Sequence, residues 1–483
     1  MKVISVDLGA TSGRVMTVTH ENHRFSYEEN ARFANKVYTD SKGVLRWDFS
    51  YLMENIIKGI RKALEEHKDI LSIGIDTWAV DYGLLKQGKL LEDPACYRDP
   101  RSFRAQKNLL EKIPFEKIYS KVGIQNLHFN TIYQLAAEDM DFSNVDTFLM
   151  IPDLIAFYLT GEKRLEETNA STTSLYLREE NKLSSELLSA IRVPERIFPE
   201  IILPGQVYGN LKKEYLPENI SHDIRVTAVA THDTASAVLG TNGKGHFAYI
   251  SSGTWSLIGT ELNHTIISKE SMEADFTNEI GFNSTIRFLK NTMGMFLINE
   301  VRNDYKAHGK EVRVADIVPL VEEAKDVDCY LNVNDPIFET PGNMLSKVEA
   351  YVSRTKQTMP ATPGEMMKVI YKSMALAYRK IIRSLEELAH IRFASILVVG
   401  GGNQARILNQ YTASACKIDV ITGPSEATVI GNSLAQFISL GEIRSVEQGR
   451  EDISSSIQSE IYHPDNREYW DTEYEKFIRR LIK

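Results

Sequence analysis

The sequence predicts an α/β protein of two or three domains. Its 483 residues exceed what one hydrophobic core usually supports. Apolar, strand-like segments alternate with amphipathic helical segments, which is the pattern of α/β folds. A strand–turn–strand pattern near the N-terminus returns after residue 245, so the second half repeats the layout of the first in pattern, though not in identity.

The first half is expected to begin with a three-stranded meander, because short apolar runs alternate with turn residues there. The elements expected are, in order, strands at 2–7, 14–19 and 23–33, a helix capped by Asp48 or Ser50 that buries apolar residues from Phe49 to Leu64, strands at 70–76 and 79–86, and a mainly helical and irregular segment at 103–180.

The segment 226–238 carries the most chemical information. Its apolar run stops at the polar cluster Thr231, His232, Asp233 and Thr234, and a helix start follows. Open α/β sheets bind ligands at the carboxyl ends of their strands, so Asp233 is a candidate base for the proton of a substrate hydroxyl. An aspartate before a helix is also a common N-cap, and His232 is either a substrate contact or a hydrogen-bonded core residue.

The segment 241–245 is the best linker candidate, because it contains two glycines and no apolar residue. It divides the chain into expected domains at 1–242 and 243–483. The elements expected in the second are strands at 247–251 and 255–260, a long helix capped by Thr362 with Pro363 and Glu365 in its first turn, a strand at 396–399, a helix ending at Cys416, a strand at 418–421 and a helix at 425–440.

Two glycine turns between strands are candidate phosphate sites. Consecutive backbone N–H groups in the turns Asp7–Arg14 and Ser251–Thr254 can hold phosphate oxygens. Arg14 adds a cation, and Asp7 is suited to contact Mg²⁺ through water. Taken alone, each turn is better interpreted as an ordinary hairpin, the second more so because Ser-Gly-Thr turns are common. Together with Asp233, they favour an ATP-dependent kinase that acts on a small hydroxylated substrate.

A third glycine turn, Gly400–Gly402, follows an apolar strand and fits the spacing G-x-G-x-x-A. A dinucleotide site would need an acidic residue at the end of the next strand, but Asp419 begins that strand. We therefore favour a turn that lies against the base and sugar of a nucleotide, with an NAD-dependent dehydrogenase as the alternative. Polar residues at strand ends could bind sugar hydroxyls or belong to solvated loops: Asp76, Thr77, Asp81, Arg98, Asp99 and Arg101.

Composition excludes several classes of protein. The chain has 56 basic and 65 acidic residues, a net charge of −9 and no basic block, which argues against nucleic acid as a partner. No apolar run approaches membrane-spanning length, and Asp7 interrupts any signal-peptide core. Three distant cysteines indicate thiols in a reducing compartment. We expect a cytoplasmic protein; its oligomeric state is not fixed by the sequence, with a monomer favoured.

Eight segments, in order and at the expected spacing, resemble the FGGY family of carbohydrate kinases. They are VDLGATSGRVM (6–16), IGIDTWAVDYGLL (73–85), YRDPR (97–101), NASTTSL (169–175), VATHDTASAV (229–238), YISSGTWSLIG (249–259), LKNTMG (289–294) and VVGGGNQ (398–404). The resemblance implies two ribonuclease-H-like, actin-like ATPase domains with a cleft between them. The first would hold the sugar, the phosphate hairpin and the catalytic Asp233, and the second would hold the nucleotide.

The resemblance also implies ATP and Mg²⁺ as cofactors, with Asp7 facing the metal through water. The ATP-binding residues implied are Ala10, Thr11, Ser12, Gly13, Arg14, Thr254, Asn299 and Gly401. The substrate-binding residues implied are Ala79, His232, Asp233, Thr234 and Asn291. Three residues depart from the family pattern: Ala79 replaces a glycine, Ile280 interrupts TNEGG, and Asn299 replaces a glutamine.

Within the family, the combination of IDTW, HDTASA and SSGTWSL implies L-rhamnulose as the sugar, phosphorylated on its 1-hydroxyl. L-fuculose, L-ribulose and D-xylulose are the alternative ketoses. An actin-like or chaperone-type ATPase is an alternative from another class, although the chain shows no peptide-binding domain or filament insertion.

Overall fold

The computed structural model describes residues 1–218 and 220–481, which form two compact units. The first unit consists of Met1–Asn242, Glu261–Phe288 and Glu426–Ile457, and the second of Gly243–Thr260, Leu289–Ser425 and the residues from Gln458 onward. Two stretches that follow residue 243 in the chain therefore pack within the first unit. Among the described residues, no helix has both the length and the hydropathy that crossing a membrane requires.

The described strands are β1 (Lys2–Leu8), β2 (Ser12–Glu21), β3 (Arg24–Ala34), β4 (Val37–Thr39), β5 (Leu45–Trp47), β6 (Ile70–Thr77), β7 (Tyr82–Lys86), β8 (Lys89–Leu90), β9 (Thr147–Met150), β10 (Leu165–Glu166), β11 (Tyr176–Leu177), β12 (Lys182–Leu183), β13 (Ile201–Ile202), β14 (Val207–Asn210), β15 (Arg225–Thr227), β16 (Phe247–Ser252), β17 (Trp255–Leu262), β18 (Thr277–Ile280), β19 (Ile286–Met293), β20 (Ser395–Val399), β21 (Val420–Thr422) and β22 (Ile461–Tyr462).

The described helices are α1 (Phe49–Glu66), α2 (Arg101–Leu110), α3 (Phe115–Val122), α4 (Thr131–Ala136), α5 (Ile151–Thr160), α6 (Glu167–Ala170), α7 (Ser185–Ala190), α8 (Asp233–Leu239), α9 (Lys269–Glu273), α10 (Phe296–Ala307), α11 (Ile317–Glu323), α12 (Met344–Arg354), α13 (Pro363–Ala389), α14 (Arg406–Cys416), α15 (Ala427–Ser439), α16 (Val446–Ser456) and α17 (Arg467–Leu481).

The main sheet of the first unit has the strand order β14-β15-β6-β1-β2-β3. Strand β1 is antiparallel to β2 and parallel to β6, and β15 is parallel to β6. The register places Asp7 opposite Asp76 and Leu8 opposite Thr77. An isolated parallel bridge then joins Thr77 to His232. The carboxyl ends of three neighbouring segments therefore meet at one edge of this sheet.

Helices bury both faces of this sheet. Helix α1 packs against β2 and β3, and the predicted apolar positions are buried except Ile57, which is half-buried. Helix α15 packs against β1 and β6 as well as against α8. The amide of Gln436 on α15 donates to the carbonyl of Ile4 (2.9 Å), which ties the helix to the sheet.

The second unit repeats the central pairing of the first. Its strand order is β19-β17-β16-β20-β21-β22, with β16 antiparallel to β17 and parallel to β20. Strand β1 has the same relation to β2 and β6. The repeat predicted from the sequence is thus confirmed at the level of strand pairing.

Most predicted elements are present, and the capping interactions explain several helix starts. Asp48 accepts a hydrogen bond from the backbone N–H of Tyr51 (3.0 Å), and Thr362 accepts one from that of Glu365 (3.2 Å). The Glu365 carboxylate accepts in turn from the N–H of Ala361 (2.7 Å). These contacts satisfy N–H groups that have no partner within their helices.

Two predicted strands are shorter in the structure than expected. The strand expected at 79–86 begins only at Tyr82, because Val80 has φ +68°, a conformation that interrupts an extended chain. The apolar run after Val226 leaves the sheet at Thr227. It stays beside β6, since the N–H of Thr77 donates to the carbonyl of Thr231 (2.8 Å).

The contact between α8 and α15 requires glycine. A Cβ atom on Gly431 would lie 1.8 Å from the carbonyl oxygen of Ser236. We expect Gly431→Ala to lower the free energy of unfolding by about 1–3 kcal/mol, because backbone atoms cannot move aside as a flexible side chain can. Urea unfolding measures the loss. Thr428→Ala, on the same helix but half-buried, is the matched control and should not destabilise; equal losses would contradict the prediction.

Candidate active site

Three carboxylates gather at the edge of the sheet in the first unit. Asp7 and Asp76 face each other across β1 and β6, and Asp233 begins α8. Burial raises the pKa of Asp7, and the negative charge of Asp233 raises it further. Burial, followed by the charge of Asp7, holds the pKa of Asp76 well above its usual range. The structure therefore concentrates negative charge where substrates bind in this kind of sheet.

Arg14 supplies the nearest cation. Its guanidinium donates to the carboxylates of both Asp7 and Glu426, the residue immediately before α15. Burial opposes a charge here, but the two carboxylates outweigh it and raise the pKa of Arg14. The pairing of Glu426 with Arg14 was not predicted, since a contact across more than 400 positions leaves no local pattern.

The predicted phosphate hairpin is a tight turn between β1 and β2. Residues Gly9 to Thr11 form the turn, and Asn35 holds it from the far end of β3. The Asn35 side chain donates to the carbonyl of Gly9 (2.6 Å), and its backbone N–H donates to that of Thr11 (3.0 Å). Thr11 is exposed, whereas Ala10, Ser12 and Arg14 are half-buried. The turn is therefore fixed at its carbonyls while it stays open to solvent.

Asp233 is the first residue of α8 and not its N-cap. The cap position belongs to His232, which makes no side-chain capping bond. The Asp233 carboxylate accepts from the Thr234 hydroxyl (3.1 Å on Oδ1), and 30% of its side-chain surface is exposed. Burial raises its pKa, while His232 opposes the rise. A carboxylate that holds a proton more readily than usual is suited to act as a general base.

His232 lies on a buried ion pair. Arg287 and Glu279 approach each other at 3.1 Å between Nη2 and Oε2, and both are also close to His232. Burial opposes ionisation of Glu279, but the charge of Arg287 holds its pKa below the usual range. Neither residue was predicted from the sequence. Glu279 stands in the segment TNEI, where the sequence indicated only the departure from the family pattern at Ile280.

A buried glutamate holds the segment that leads into Asp233. Glu166 Oε2 accepts from the backbone N–H of Thr231 (3.2 Å) and from the Thr231 hydroxyl. The hydroxyl of Thr168 accepts from the N–H of His232 (3.3 Å). Burial raises the pKa of Glu166 to about 7, against these hydrogen bonds. The backbone at 231–232 is therefore fixed by side chains that the sequence pattern did not indicate.

Asp81 is a structural residue. It accepts four hydrogen bonds, from Nε1 of Trp47 (2.7 Å), Nε1 of Trp78 (3.0 Å), the backbone N–H of Tyr97 (3.1 Å) and Nε2 of Gln134 (2.9 Å). These donors engage both oxygens of a carboxylate that is 1% exposed. The suggestion that Asp81 could bind sugar hydroxyls is therefore wrong, because the protein satisfies it already.

Of the other polar residues predicted at strand ends, Asp99 and Arg101 make contacts within the protein, whereas Arg98 is exposed. Asp99 accepts from the backbone N–H groups of Leu45 (2.7 Å) and Arg101 (2.9 Å), and Arg101 pairs with Glu138 (3.0 Å). These side chains hold loops together. Arg98 is exposed and lies over the ring of Tyr97, with its guanidinium carbon 5.0 Å from the centroid.

Ala79, the predicted sugar contact, is half-buried and lies two residues after the end of β6. Its carbonyl accepts from the N–H of Asp81 (2.9 Å), which closes a tight turn around Val80. The strained φ of Val80 is held because its carbonyl accepts from the Thr131 hydroxyl (2.8 Å). The turn places Ala79 beyond the strand end that carries Asp76 and Thr77.

In the second unit, the two predicted nucleotide turns lie together. A Cβ on Gly402 would lie 1.9 Å from Oγ of Ser252, so the triple-glycine turn packs directly on the hairpin that contains Thr254. Gly294 packs on the same hairpin, where a Cβ would lie 2.6 Å from the carbonyl carbon of Trp255. Gly401 itself borders open space. The two turns form one glycine-rich surface at the carboxyl ends of β16 and β20.

The remaining predicted residues of the second unit lie on other elements. Asn291 is on β19 and half-buried. Asn299 is exposed on α10, where its side-chain oxygen accepts from Arg302 (3.3 Å).

Family models match almost the whole chain. The N-terminal domain of the FGGY family of carbohydrate kinases matches residues 2–240, and the C-terminal domain of that family matches residues 248–440. Curated relatives include a rhamnulokinase of Ligilactobacillus salivarius, 40% identical over 99% of both chains, and a rhamnulokinase of Bacillus subtilis, 38% identical over 95% of both. The chain belongs to the FGGY family of carbohydrate kinases.

Solved structures agree on the fold. A xylulose kinase from Lactobacillus acidophilus superposes with a TM-score of 0.81 at 16% identity and covers 99% of this chain and 97% of its own. A Plasmodium falciparum glycerol kinase with ADP superposes with the same score at 15% identity, over 100% and 98% of the two chains. The predicted class, an α/β protein with two ribonuclease-H-like, actin-like ATPase domains, is confirmed.

The burial of Asp81 predicts a pH-dependent contribution to the free energy of unfolding. Burial raises the pKa of Asp81 to about 6, above the usual 3.8. The native state therefore loses stability as the pH rises from about 4 through about 6, by on the order of 3 kcal/mol. We therefore expect the free energy of unfolding of the wild type, minus that of Asp81→Asn, to fall by about this amount between pH 4 and pH 7. Urea unfolding at several pH values measures it, and parallel pH profiles would contradict it.

Proposed function

We propose that the protein has rhamnulokinase activity: it transfers the γ-phosphoryl group of ATP to the 1-hydroxyl of L-rhamnulose, giving L-rhamnulose 1-phosphate and ADP. The observation that carries the proposal is Asp233, a carboxylate of raised pKa at the start of α8, next to His232 and partly open to solvent. The full-length curated relatives named rhamnulokinase support the choice of sugar.

Asp233 would accept the proton of the attacking hydroxyl. Phosphoryl transfer depends mainly on positioning and on neutralising charge, so one well-placed carboxylate suffices as base. His232 and Thr234 flank this carboxylate and would contact the ketose, together with the backbone at Ala79 and the side chain of Asn291. Glu166 supports the role of Asp233 indirectly, because it fixes the backbone just before it.

The hairpin from Ala10 to Arg14 would hold phosphate oxygens of ATP. Asn35 holds the turn through its carbonyl groups, which leaves the N–H groups of the turn for phosphate oxygens. Arg14, which pairs with Asp7 in the free protein, would pair with a phosphate instead. In the second unit, Thr254 and Gly401 would contact the nucleotide on the glycine-rich surface, with Asn299 near it. We therefore propose that the domain at 1–242 binds the sugar and the phosphates and that the domain at 243–483 binds the nucleotide.

The residues around Asp7 fit Mg²⁺. Asp7 and Asp76 lie opposite each other on neighbouring strands, and within the described part of the chain the buried Oδ1 of Asp76 has no hydrogen-bond partner. Hard oxygen ligands of this kind suit Mg²⁺, which keeps several waters. Asp7 would hold the ion through water, and the ion, when bound, would neutralise charge on the phosphates. Arg14 would then move from Asp7 toward the phosphates.

Replacing the base should lower kcat by orders of magnitude while leaving the fold intact. We expect Asp233→Asn to lower kcat by on the order of 10²–10⁴, because an amide cannot accept the hydroxyl proton. Coupled detection of ADP release measures the rate, and circular dichroism checks folding. Glu186→Gln changes another carboxylate in the first turn of a helix, at the surface, and should turn over normally. Near-normal turnover of Asp233→Asn would exclude Asp233 as the base.

A panel of ketoses tests the substrate. We expect ADP release with L-rhamnulose to exceed that with L-fuculose, L-ribulose and D-xylulose at equal concentration. Faster turnover of another ketose would show that this ketose is the substrate, and the protein would still be a sugar kinase.

ATP hydrolysis that no sugar accelerates would favour a conformational ATPase of the actin-like or chaperone type. The cytoplasmic location and the monomeric state remain predictions.

A further inference from the structure

The contacts of His232 determine which of its ring nitrogens carries a proton. Nδ1 lies 3.0 Å from Nη2 of Arg287 and 3.4 Å from Oε2 of Glu279. Nε2 lies 3.5 Å from Oδ1 of Asp233. The side chains of Arg287 and Glu279 are 0% and 8% exposed, so water does not compete for these contacts.

A guanidinium has donors only and stays charged inside proteins. At 3.0 Å, Nη2 of Arg287 must therefore donate to Nδ1 of His232, and an Nδ1 that accepts carries no proton. Oε2 of Glu279 lies 3.1 Å from Nη2 of Arg287 and 3.4 Å from Nδ1 of His232, so the guanidinium, and not the ring, is its nearer donor. A proton on Nδ1 would instead place two N–H groups against each other.

We propose that Arg287 is a positioning residue for the proposed kinase reaction, which holds His232 as the neutral tautomer with its proton on Nε2. The ring then presents an N–H toward the carboxylate of Asp233. This inference rests on the proposed function for its catalytic meaning, although the tautomer itself is a property of the free protein.

The tautomer assigns separate roles to the two oxygens of Asp233. The hydroxyl of Thr234 and the Nε2–H of His232 both approach Oδ1. Oδ2 is left as the oxygen that accepts the proton of the sugar hydroxyl. Without Arg287, Glu279 would become the acceptor for a proton on Nδ1. If the ring stayed neutral, Nε2 would turn a lone pair toward Asp233, and the carboxylate would lose the N–H group that orients it. If the ring became a cation, it would pair with Asp233 and lower the basicity of the carboxylate.

Three variants separate this role from a contribution to stability alone. Arg287→Met removes the donor but leaves Glu279 buried without its partner. Arg287→Met/Glu279→Gln removes that charge and supplies an amide N–H that can donate to Nδ1. Arg287→Met/Glu279→Met removes the charge and supplies no donor. The two double variants are matched controls for each other, since both lack the buried ion pair.

We expect Arg287→Met and Arg287→Met/Glu279→Met to lose on the order of 100-fold in kcat with L-rhamnulose, with a smaller change in KM. Arg287→Met/Glu279→Gln should recover most of the loss. Thermal melting checks that each variant is folded, and the comparison of the double variants stands even where Arg287→Met is unstable. Equal kcat values in the two double variants would overturn the proposal.

Nuclear magnetic resonance of the free wild-type protein, labelled with ¹⁵N-histidine, reads the tautomer directly. The spectrum of His232→Asn identifies the signals of His232. We expect the shift of a protonated nitrogen for Nε2 and that of a bare nitrogen for Nδ1; the reverse, or two protonated nitrogens, would overturn the proposal. This measurement needs no sugar. A wild type that phosphorylates no ketose would therefore refute the proposed function while the spectrum still decides the tautomer.

Discussion

The concentration of buried negative charge at one sheet edge is the constraint on which the rest of the site depends. The parallel register of β1 and β6 places Asp7 opposite Asp76, and the bridge from Thr77 to His232 brings Asp233 to the same edge. Carboxylates in such an arrangement raise one another's pKa. Each therefore needs a cation or hydrogen-bond donors from elsewhere in the fold.

The first unit supplies these partners from distant parts of the chain. Arg14 lies between Asp7 and Glu426, Asn432 donates to Asp76 (2.6 Å), and the pair of Glu279 and Arg287 lies beneath His232. The residues at 261–288 and 426–457 thus belong to the first unit for an electrostatic reason as well as for their packing. A phosphate or a divalent cation would enter a site whose charges are already held in place.

The second unit uses the same strand pairing for a different purpose. Its hairpin and its triple-glycine turn carry little charge and pack so closely that a Cβ at Gly402 would overlap Ser252. A surface made of backbone suits the flat base and sugar of a nucleotide, whereas the side-chain carboxylates of the first unit suit proton transfer and metal binding. The two units therefore share the sequence pattern and the strand pairing, but the residues at their strand ends differ in chemistry.

The sequence by itself determined the elements whose signals are local. The meander from β1 to β3, the caps at Asp48 and Thr362 and the glycine turns follow from periodicity and turn chemistry within a few residues. Motif order and spacing identified the family and indicated Asp233. Strand lengths were less predictable, since the end of β15 and the late start of β7 depend on contacts of Val80 and Thr231 with residues far along the chain.

Only the tertiary structure decided which polar residues are available for chemistry. Asp76 ends one predicted strand and Asp81 lies near the start of the next. Yet four donors satisfy Asp81, while Oδ1 of Asp76 has no hydrogen-bond partner among the described residues. Glu426, Glu279 and Arg287 join the site across separations that no local pattern records. Hydrogen bonds and ion pairs act over a few ångströms, so their partners are set by the fold and not by distance along the chain.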